Sequence, residues 1–228
     1  IALIGPLASD KNSSLGNWRS QAISNSATSV LEAMINYSGN KLFYEKGVDL
    51  YYNNTDFHNR VNLNLDDRSE FNKAKTVAEK ADIVVMVLGE EGYQSGEGRS
   101  RTNIKLPGLQ LELLKEIYEI NKNIVLVVNS GRPLDLSWED ENIPTIVQVW
   151  QLGSRSGEAI AKVLYGDYNP SGKLTMSFPR NVGQVPIYYN FKNTGRPSTS
   201  IEQVTNSGYA DVENSALYPF GCLLYTSD

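Results

Sequence analysis

The sequence of 228 residues is 40% hydrophobic, 21% charged and 10% aromatic, which is typical of a folded globular chain and excludes a disordered tail or a collagen-like protein. A net charge of −5 without Lys/Arg clusters disfavours nucleic acid and anionic membranes as partners, and no apolar run approaches the roughly 18 residues of a membrane-spanning helix. Cys222 and His58 are the only residues of their kinds, so the sequence predicts neither a disulfide framework nor a metal site built from thiolates or paired histidines.

Four apolar runs rich in β-branched residues predict β-strands. Each is almost continuously apolar, as in the strands of a parallel sheet that is covered on both faces. They comprise residues 1–7, 81–88, 123–128 and 145–150. Stretches with helical periodicity accompany them at residues 29–35, 70–81, 110–120 and 157–165. This alternation predicts an α/β fold with a mostly parallel sheet sandwiched between helices.

After Tyr165 the pattern changes. Residues 166–172 have the Gly, Asp, Asn and Pro content of turns, and residues 174–178 predict a short edge strand that ends at Pro179. Residues 180–216 are rich in Gly, Pro, Asn, Ser and Tyr without periodicity, which indicates an extended irregular connection over the surface.

The strongest candidate for chemistry is the polar loop of residues 89–103, which follows the second apolar strand. In α/β folds, ligands meet the loops at the carboxyl ends of parallel strands, and long loops are often functional. The loop contains four glycines, two arginines and three carboxylates, which are Glu90, Glu91 and Glu97. Its spacing matches neither a phosphate-binding loop nor a site for a hard cation. Two interpretations stay open: a solvated loop without a role, or acid/base work by one carboxylate with an arginine nearby.

Other polar and aromatic residues have simpler interpretations. No Gly-x-Ser-x-Gly elbow accompanies His58, so a serine hydrolase is excluded and a solvated surface histidine is favoured. Trp138 and Trp150 are expected to pack in the core rather than to stack on a sugar. Arg132, in a Ser-Gly-Arg-Pro turn, is expected to be structural.

Several motifs lie along the chain in the order of a known family. The most specific are Asn-Pro-Ser-Gly-Lys-Leu at residues 169–174 and Tyr-Pro-Phe-Gly at residues 218–221. Further matching stretches are residues 1–8, 81–89, 95–101, 106–110, 129–134, 165–180, 183–189 and 193–197. With these motifs the chain resembles the carboxy-terminal α/β-sandwich domain of glycoside hydrolase family 3, and within it the bacterial periplasmic β-glucosidase branch. The resemblance implies a hydrolase of carbohydrate metabolism without a metal or cofactor.

In that family the substrate site lies between two domains. The resemblance implies that an amino-terminal barrel of the same polypeptide supplies the aspartate nucleophile, and that the loop of residues 89–103 supplies the general acid/base. The family's Ser-Gly-Glu-Gly and Glu-x-x-Ser-Arg patterns assign that catalytic role to Glu97. A cation beside the acid would oppose its protonation, so Arg99 and Arg101 are expected to point elsewhere, toward the other carboxylates of the loop.

The implied activity is that of a retaining β-glycosidase, with a β-glucosidase favoured, acting on a β-linked glucoside or oligosaccharide in the periplasm or outside the cell. Without the barrel, this chain alone is expected to be inactive. The alternative is a non-catalytic scaffold or glycan-binding domain in which the acidic loop is inert.

The resemblance also predicts a domain division. Residues 1–178 are expected to form the α/β-sandwich domain, and residues 179–221 an extended connection toward a fibronectin-like domain. The chain begins inside a strand-like run without Met or a signal peptide, so we expect a piece of a longer polypeptide. Residues 222–228 depart from the family's continuation and match a translated sequencing adapter, which predicts a non-native tail. Arg155 departs as well, since relatives have an acidic residue there.

Overall fold

Five parallel strands form one sheet in the computed structural model, which describes residues 1–37, 39–53, 55–192 and 208–223. The strand order is β2-β1-β3-β4-β5. Their bounds are Ala2–Ile4 for β1, Phe43–Glu45 for β2, Val84–Gly89 for β3, Ile124–Asn129 for β4 and Thr145–Gln148 for β5. The predicted α/β fold with a parallel sheet is confirmed, and four of the strands arise from the four apolar runs.

Helices cover both faces of the sheet. They are α1 (Val30–Ile35), α2 (Phe71–Glu79), α3 (Gln110–Ile120), α4 (Ser137–Asn142) and α5 (Ser156–Leu164). Side chains of β3 alternate between two cores, with Met86 and Leu88 in the core against α2 and α3, and Val85 and Val87 in the core against α1 and α5. This double burial explains why the strands are continuously apolar. None of the helices in the described ranges is long and apolar enough to cross a membrane.

Among the strands and α-helices of the described residues, β2 and α4 were not anticipated from the sequence, and one anticipated strand is absent. β2 lies at the sheet edge and has three half-buried residues. A strand this short produces no recognisable hydrophobic periodicity in the sequence. α4 reads Ser-Trp-Glu-Asp-Glu-Asn, so it lacks an apolar stripe. The predicted edge strand at residues 174–178 is wrong, because this stretch contains no β-strand; Phe178 forms an isolated antiparallel bridge with Tyr218.

The last described residues lie against the α/β core. The Phe178 amide donates to the Tyr218 carbonyl at 2.8 Å, and the Leu174 amide donates to the Cys222 carbonyl at 2.7 Å. Leu217 and Phe178 are buried in the same core cluster. The domain division at residue 178 stays a prediction. Residues 193–207 of the predicted connection and 224–228 of the predicted tail lie outside the described residues.

The short helix α4 buries a carboxyl group, that of Glu139, which is 1% exposed. Its Oε1 has no hydrogen-bond partner among the residues that the structure describes. Burial raises the pKa of Glu139 to about 7, and the Asp135 carboxylate adds to this effect, whereas Lys105 and Lys115 oppose it. The fold therefore favours the protonated form of this side chain below about pH 7.

Replacing Glu139 should change how stability depends on pH. Because the folded-state pKa of about 7 lies above the usual value of 4.5, the folded state holds a proton that the unfolded state has released, and the free energy of unfolding falls as pH rises between these values. At about 1.4 kcal/mol per pKa unit, the unfolding free energy lost over this pH range because of Glu139 is about 3 kcal/mol. Glu139→Gln should remove it, so urea unfolding between pH 4.5 and 8 should show a smaller decline in the variant.

The matched control is Glu141→Gln, because Glu141 is exposed on the same helix. Its unfolding free energy should follow the wild-type pH dependence. Parallel pH curves for wild type and Glu139→Gln would contradict the assignment of the raised pKa to the buried carboxyl.

Candidate active site

The candidate site lies at the carboxyl ends of β1 and β3. These two strands are neighbours, although the chain visits β2, on the other side of β1, between them. After β1 the chain crosses to one side, toward β2, and after β3 it crosses to the other side, toward β4. The strand order therefore reverses between β1 and β3, at whose carboxyl ends the two loops begin. In open parallel sheets, ligand crevices form at such a point.

The loop of residues 89–103 is fixed at its start by close backbone contact. Gly89 has φ +135°, and a Cβ added there would lie 1.8 Å from the Asn129 carbonyl oxygen, so only glycine fits. The Glu90 amide donates to the Asn129 carbonyl at 2.8 Å, and the Asn129 side-chain amide returns a bond to the Glu90 carbonyl at 2.9 Å. The side chain of Gln110, at the start of α3, donates to and accepts from the Gly89 backbone. The loop thus begins on a rigid base.

A buried ion cluster joins the beginning of this loop to its end and to the turn after β4. The Glu90 side chain is 0% exposed and lies 2.7 Å from Arg101 Nη1 and 2.9 Å from Arg132 Nε. Arg101 thus points to a carboxylate of the loop, as the sequence predicted, and the contacts of Arg132 lie within the fold, as expected for an arginine in this turn. Arg99 differs from the expectation, because its guanidinium donates to the backbone carbonyls of Phe57 and Asn59.

Glu91 is buried as well and closes a short turn. One carboxylate oxygen accepts from the Tyr93 amide at 2.8 Å, and the other accepts from the Thr55 hydroxyl at 3.0 Å. Burial raises the pKa of Glu91, and these hydrogen bonds oppose the shift. The first half of the loop is therefore packed rather than solvated.

Glu97 is the carboxylate of the loop that faces solvent. It lies between Gly96 and Gly98, which have φ values of +116° and +68°. Its side chain takes part in no hydrogen bond or ion pair with any other described residue. No group of three or more His, Cys, Asp or Glu side chains in the described ranges is placed to hold a metal ion. Glu97 is thus presented on a firmly anchored loop to whatever meets this surface.

Trp18 is a candidate binding residue that the sequence reasoning missed. It is 72% exposed, and the side chain of the preceding Asn17 donates to the Ser95 carbonyl at 2.7 Å. A Cβ added to Gly96 would lie 2.7 Å from the Asn17 side chain, so the two loops are in tight contact. The chain segments that carry Trp18 and Glu97 are thereby held side by side. A lone tryptophan in the polar stretch Gly-Asn-Trp-Arg-Ser was the available signal.

A pocket of about 820 Å³ lies beside these loops. Its lining includes Trp18, Arg19, Tyr51, Phe57 and Tyr93. The Arg19 guanidinium stacks over the Tyr93 ring at 4.5 Å. This volume is in the range of small-molecule sites, and aromatic faces with nearby polar groups suit a sugar ring.

The remaining sequence candidates have structural positions. Trp150 packs against Phe178 with ring centroids 5.7 Å apart, and Trp138 meets Tyr118 edge-to-face at 5.7 Å. The predicted core role of both tryptophans is confirmed. His58 is exposed, as predicted.

Two glycines beside Glu97 allow a matched test of the contact between the loops. Gly96→Ala should lower the free energy of unfolding by about 1–3 kcal/mol, because the new methyl group meets the Asn17 side chain in a backbone conformation that L-residues rarely adopt. Gly98→Ala should cost only about 1 kcal/mol, because its Cβ meets open space in the left-handed region. Urea unfolding of the two variants measures the difference, and equal costs would contradict a tight contact at Gly96.

Comparison with known proteins extends these observations. Residues 1–226 match the family model of the glycosyl hydrolase family 3 C-terminal domain. A periplasmic β-glucosidase from Salmonella typhimurium is 41% identical over 238 aligned residues, covering 100% of this chain and 31% of the relative. A β-xylosidase from Formosa agariphila is 34% identical, covering 100% of this chain and 30% of the relative.

Solved structures agree with the sequence comparison. A crystal structure of a β-glucosidase from Listeria innocua in complex with gluconolactone superposes with a TM-score of 0.81 at 30% identity, covering 97% of this chain and 29% of that one. The chain thus spans about 30% of the length of each of these three relatives. On the family match over almost its full length and the shared fold, the chain belongs to glycosyl hydrolase family 3, where it corresponds to the C-terminal domain.

Proposed function

We propose that the chain supplies the general acid/base, Glu97, to a retaining β-glycosidase whose nucleophile lies on an amino-terminal barrel domain of the same polypeptide. The observation that carries this proposal is one exposed carboxylate, free of partners in the described residues, on an anchored loop at the switch point of the sheet. Glu90 and Glu91 are weaker candidates, because both are buried and held by partners within the chain. Family membership supports glycoside hydrolysis as the chemistry.

The chemistry needs two carboxyl groups about 5–5.5 Å apart. The nucleophile attacks the anomeric carbon while Glu97 gives its proton to the leaving glycosidic oxygen. Glu97 then takes a proton from water, which attacks the same carbon and releases the sugar. A second domain closing on the exposed loop would remove water from around Glu97 and favour the protonated form that starts the cycle.

The substrate class follows from the relatives and from the pocket. We propose a β-linked glucoside or short oligosaccharide, in keeping with the Salmonella relative, which is named as a β-glucosidase. The Formosa relative, named as a β-xylosidase, supports only the broader class of β-glycosides. Trp18 would stack on the leaving-group sugar, because its chain segment lies beside the one that carries the acid that protonates that group. The Salmonella relative is named as periplasmic, and we propose a periplasmic or secreted location for the whole protein.

The direct test replaces the acid in an enzyme that contains both domains. This chain would replace the matching segment of the Salmonella β-glucosidase, and Glu97→Gln would be compared with Glu119→Gln, which alters an exposed glutamate on α3. Glu97→Gln should reduce kcat for cellobiose by about 10²–10⁴-fold but affect an activated aryl glucoside much less, since a good leaving group needs little protonation. Azide should restore part of the rate of the Glu97→Gln variant on the activated aryl glucoside, because it attacks the glycosyl intermediate without needing a general base.

Two results would contradict the proposal. Equal losses on both substrates without azide rescue would remove Glu97 from the acid/base role, and Glu90 and Glu91 would be the next carboxylates to test before a scaffold or glycan-binding domain is accepted. Hydrolysis of aryl β-glucosides by the isolated chain, after exclusion of host enzymes, would remove the need for a second domain.

The proposed stacking residue gives a separate test in the same chimera. Trp18→Ala should raise KM for cellobiose about tenfold, because the lost ring contact binds ground state and transition state alike. KM for a methyl glucoside, which lacks a second sugar ring, should change little. Tyr188→Ala is the control, since Tyr188 is exposed but does not line the pocket. An unchanged KM for cellobiose would remove Trp18 from the binding site.

A further inference from the structure

Arg132 joins both sides of the turn that carries Glu97. Its Nη2 donates to the Arg99 carbonyl at 2.7 Å, two residues after Glu97, and also to the Gln94 carbonyl, three residues before it. Its Nε reaches the Glu90 carboxylate at 2.9 Å. One guanidinium therefore ties the base of the loop to both ends of the turn.

The guanidinium is itself held in one orientation. Arg132 is the third residue after β4, and its side chain is largely buried, with 20% of its surface exposed. The Glu90 carboxylate that orients it is fully buried and also accepts from the Gly131 amide at 3.4 Å. A planar group with this buried counter-charge has little freedom to rotate.

Glu97 has no such support of its own. The glycines on either side allow many backbone conformations, and no described residue holds its carboxylate. Its position depends on what holds residues 94 to 99. Asn17 holds the Ser95 carbonyl, Gln151 donates to the Ser95 hydroxyl at 3.2 Å, and the Arg99 guanidinium donates to backbone carbonyls outside the loop. Arg132, by contrast, bonds backbone carbonyls on both sides of Glu97.

We infer that Arg132 is a positioning residue for the acid/base carboxyl, which rests on the proposed role of Glu97. Arg132 sets where the turn lies, and Glu90 sets the orientation of Arg132. Displacing a catalytic group by about 1 Å costs about 10²-fold in rate. Lysine preserves the charge but has a single ammonium group, which cannot span Glu90, Gln94 and Arg99 in the geometry of the guanidinium.

The first experiment uses the chain as it stands and requires no activity. In hydrogen exchange, Arg132→Lys should speed exchange of peptides covering residues 92–103 about tenfold, while exchange in β3 and β4 stays as in wild type. Arg155→Lys is the matched control, since Arg155 makes an exposed ion pair with Glu158 outside the loop. Unchanged exchange at residues 92–103 would overturn the inference.

The second experiment measures catalysis in the chimera with the Salmonella enzyme. Arg132→Lys should lower kcat for cellobiose about 100-fold with KM changed less than twofold, and should lower kcat for an activated aryl glucoside far less. Arg101→Lys breaks a contact with the same Glu90 but touches no residue of the turn, so its losses should be similar on the two substrates. Equal losses on both substrates for Arg132→Lys would show a merely structural role.

Folding failure can be separated from mispositioning. If Arg132→Lys does not fold, the double variant Glu90→Gln with Arg132→Met removes the buried carboxylate together with one of its partners, which avoids leaving that charge uncompensated. It should show the same substrate-dependent loss, and a uniform loss would overturn the inference. If Glu97→Gln fails its own test while Arg132→Lys still loosens residues 92–103, the proposed function fails and the contact of Arg132 with the loop stands.

Discussion

A carboxylate without solvent must have its charge balanced within the protein, and in this domain that constraint applies to Glu90. The balance comes from Arg101 and Arg132, which reach it from two other segments of the chain. Three sequence-distant points therefore have to meet: the end of β3, the end of the polar loop and the turn after β4. These ion pairs determine the shape of the loop and the direction in which its tip, with Glu97, points.

The consequence is a site with two different halves. In the inner half, Gly89, Glu90 and Glu91 are buried and held by hydrogen bonds and ion pairs within the chain. The outer half presents Glu97, and Asn17 links it to the loop that exposes Trp18. Such an arrangement suits the proposed role, in which the domain provides one catalytic group to a cleft completed by another domain. The chain covers about 30% of the length of the Salmonella and Formosa relatives.

The sequence predicted much of the fold because burial on both faces leaves a direct trace in continuous apolar strands. β2 and α4 left no such trace, since one has three half-buried residues and the other has no apolar stripe. Glu97 could be selected from a motif, but its exposure could not, because the loop is packed by contacts across long sequence separations. Arg132 and Glu90 are 42 residues apart, and Asn17 and Ser95 are 78 apart. No local pattern encodes those pairings, so Trp18 was missed altogether.

The measurement that tests the central claim most directly is a crystal structure of the whole protein with a sugar lactone bound. In that structure the Glu97 carboxyl should lie about 5–5.5 Å from a carboxylate of the other domain, on the opposite side of the anomeric carbon, as a retaining mechanism requires. The second sugar position should lie over Trp18. A Glu97 side chain that points away from the lactone, with a different carboxyl group beside its anomeric carbon, would contradict the account.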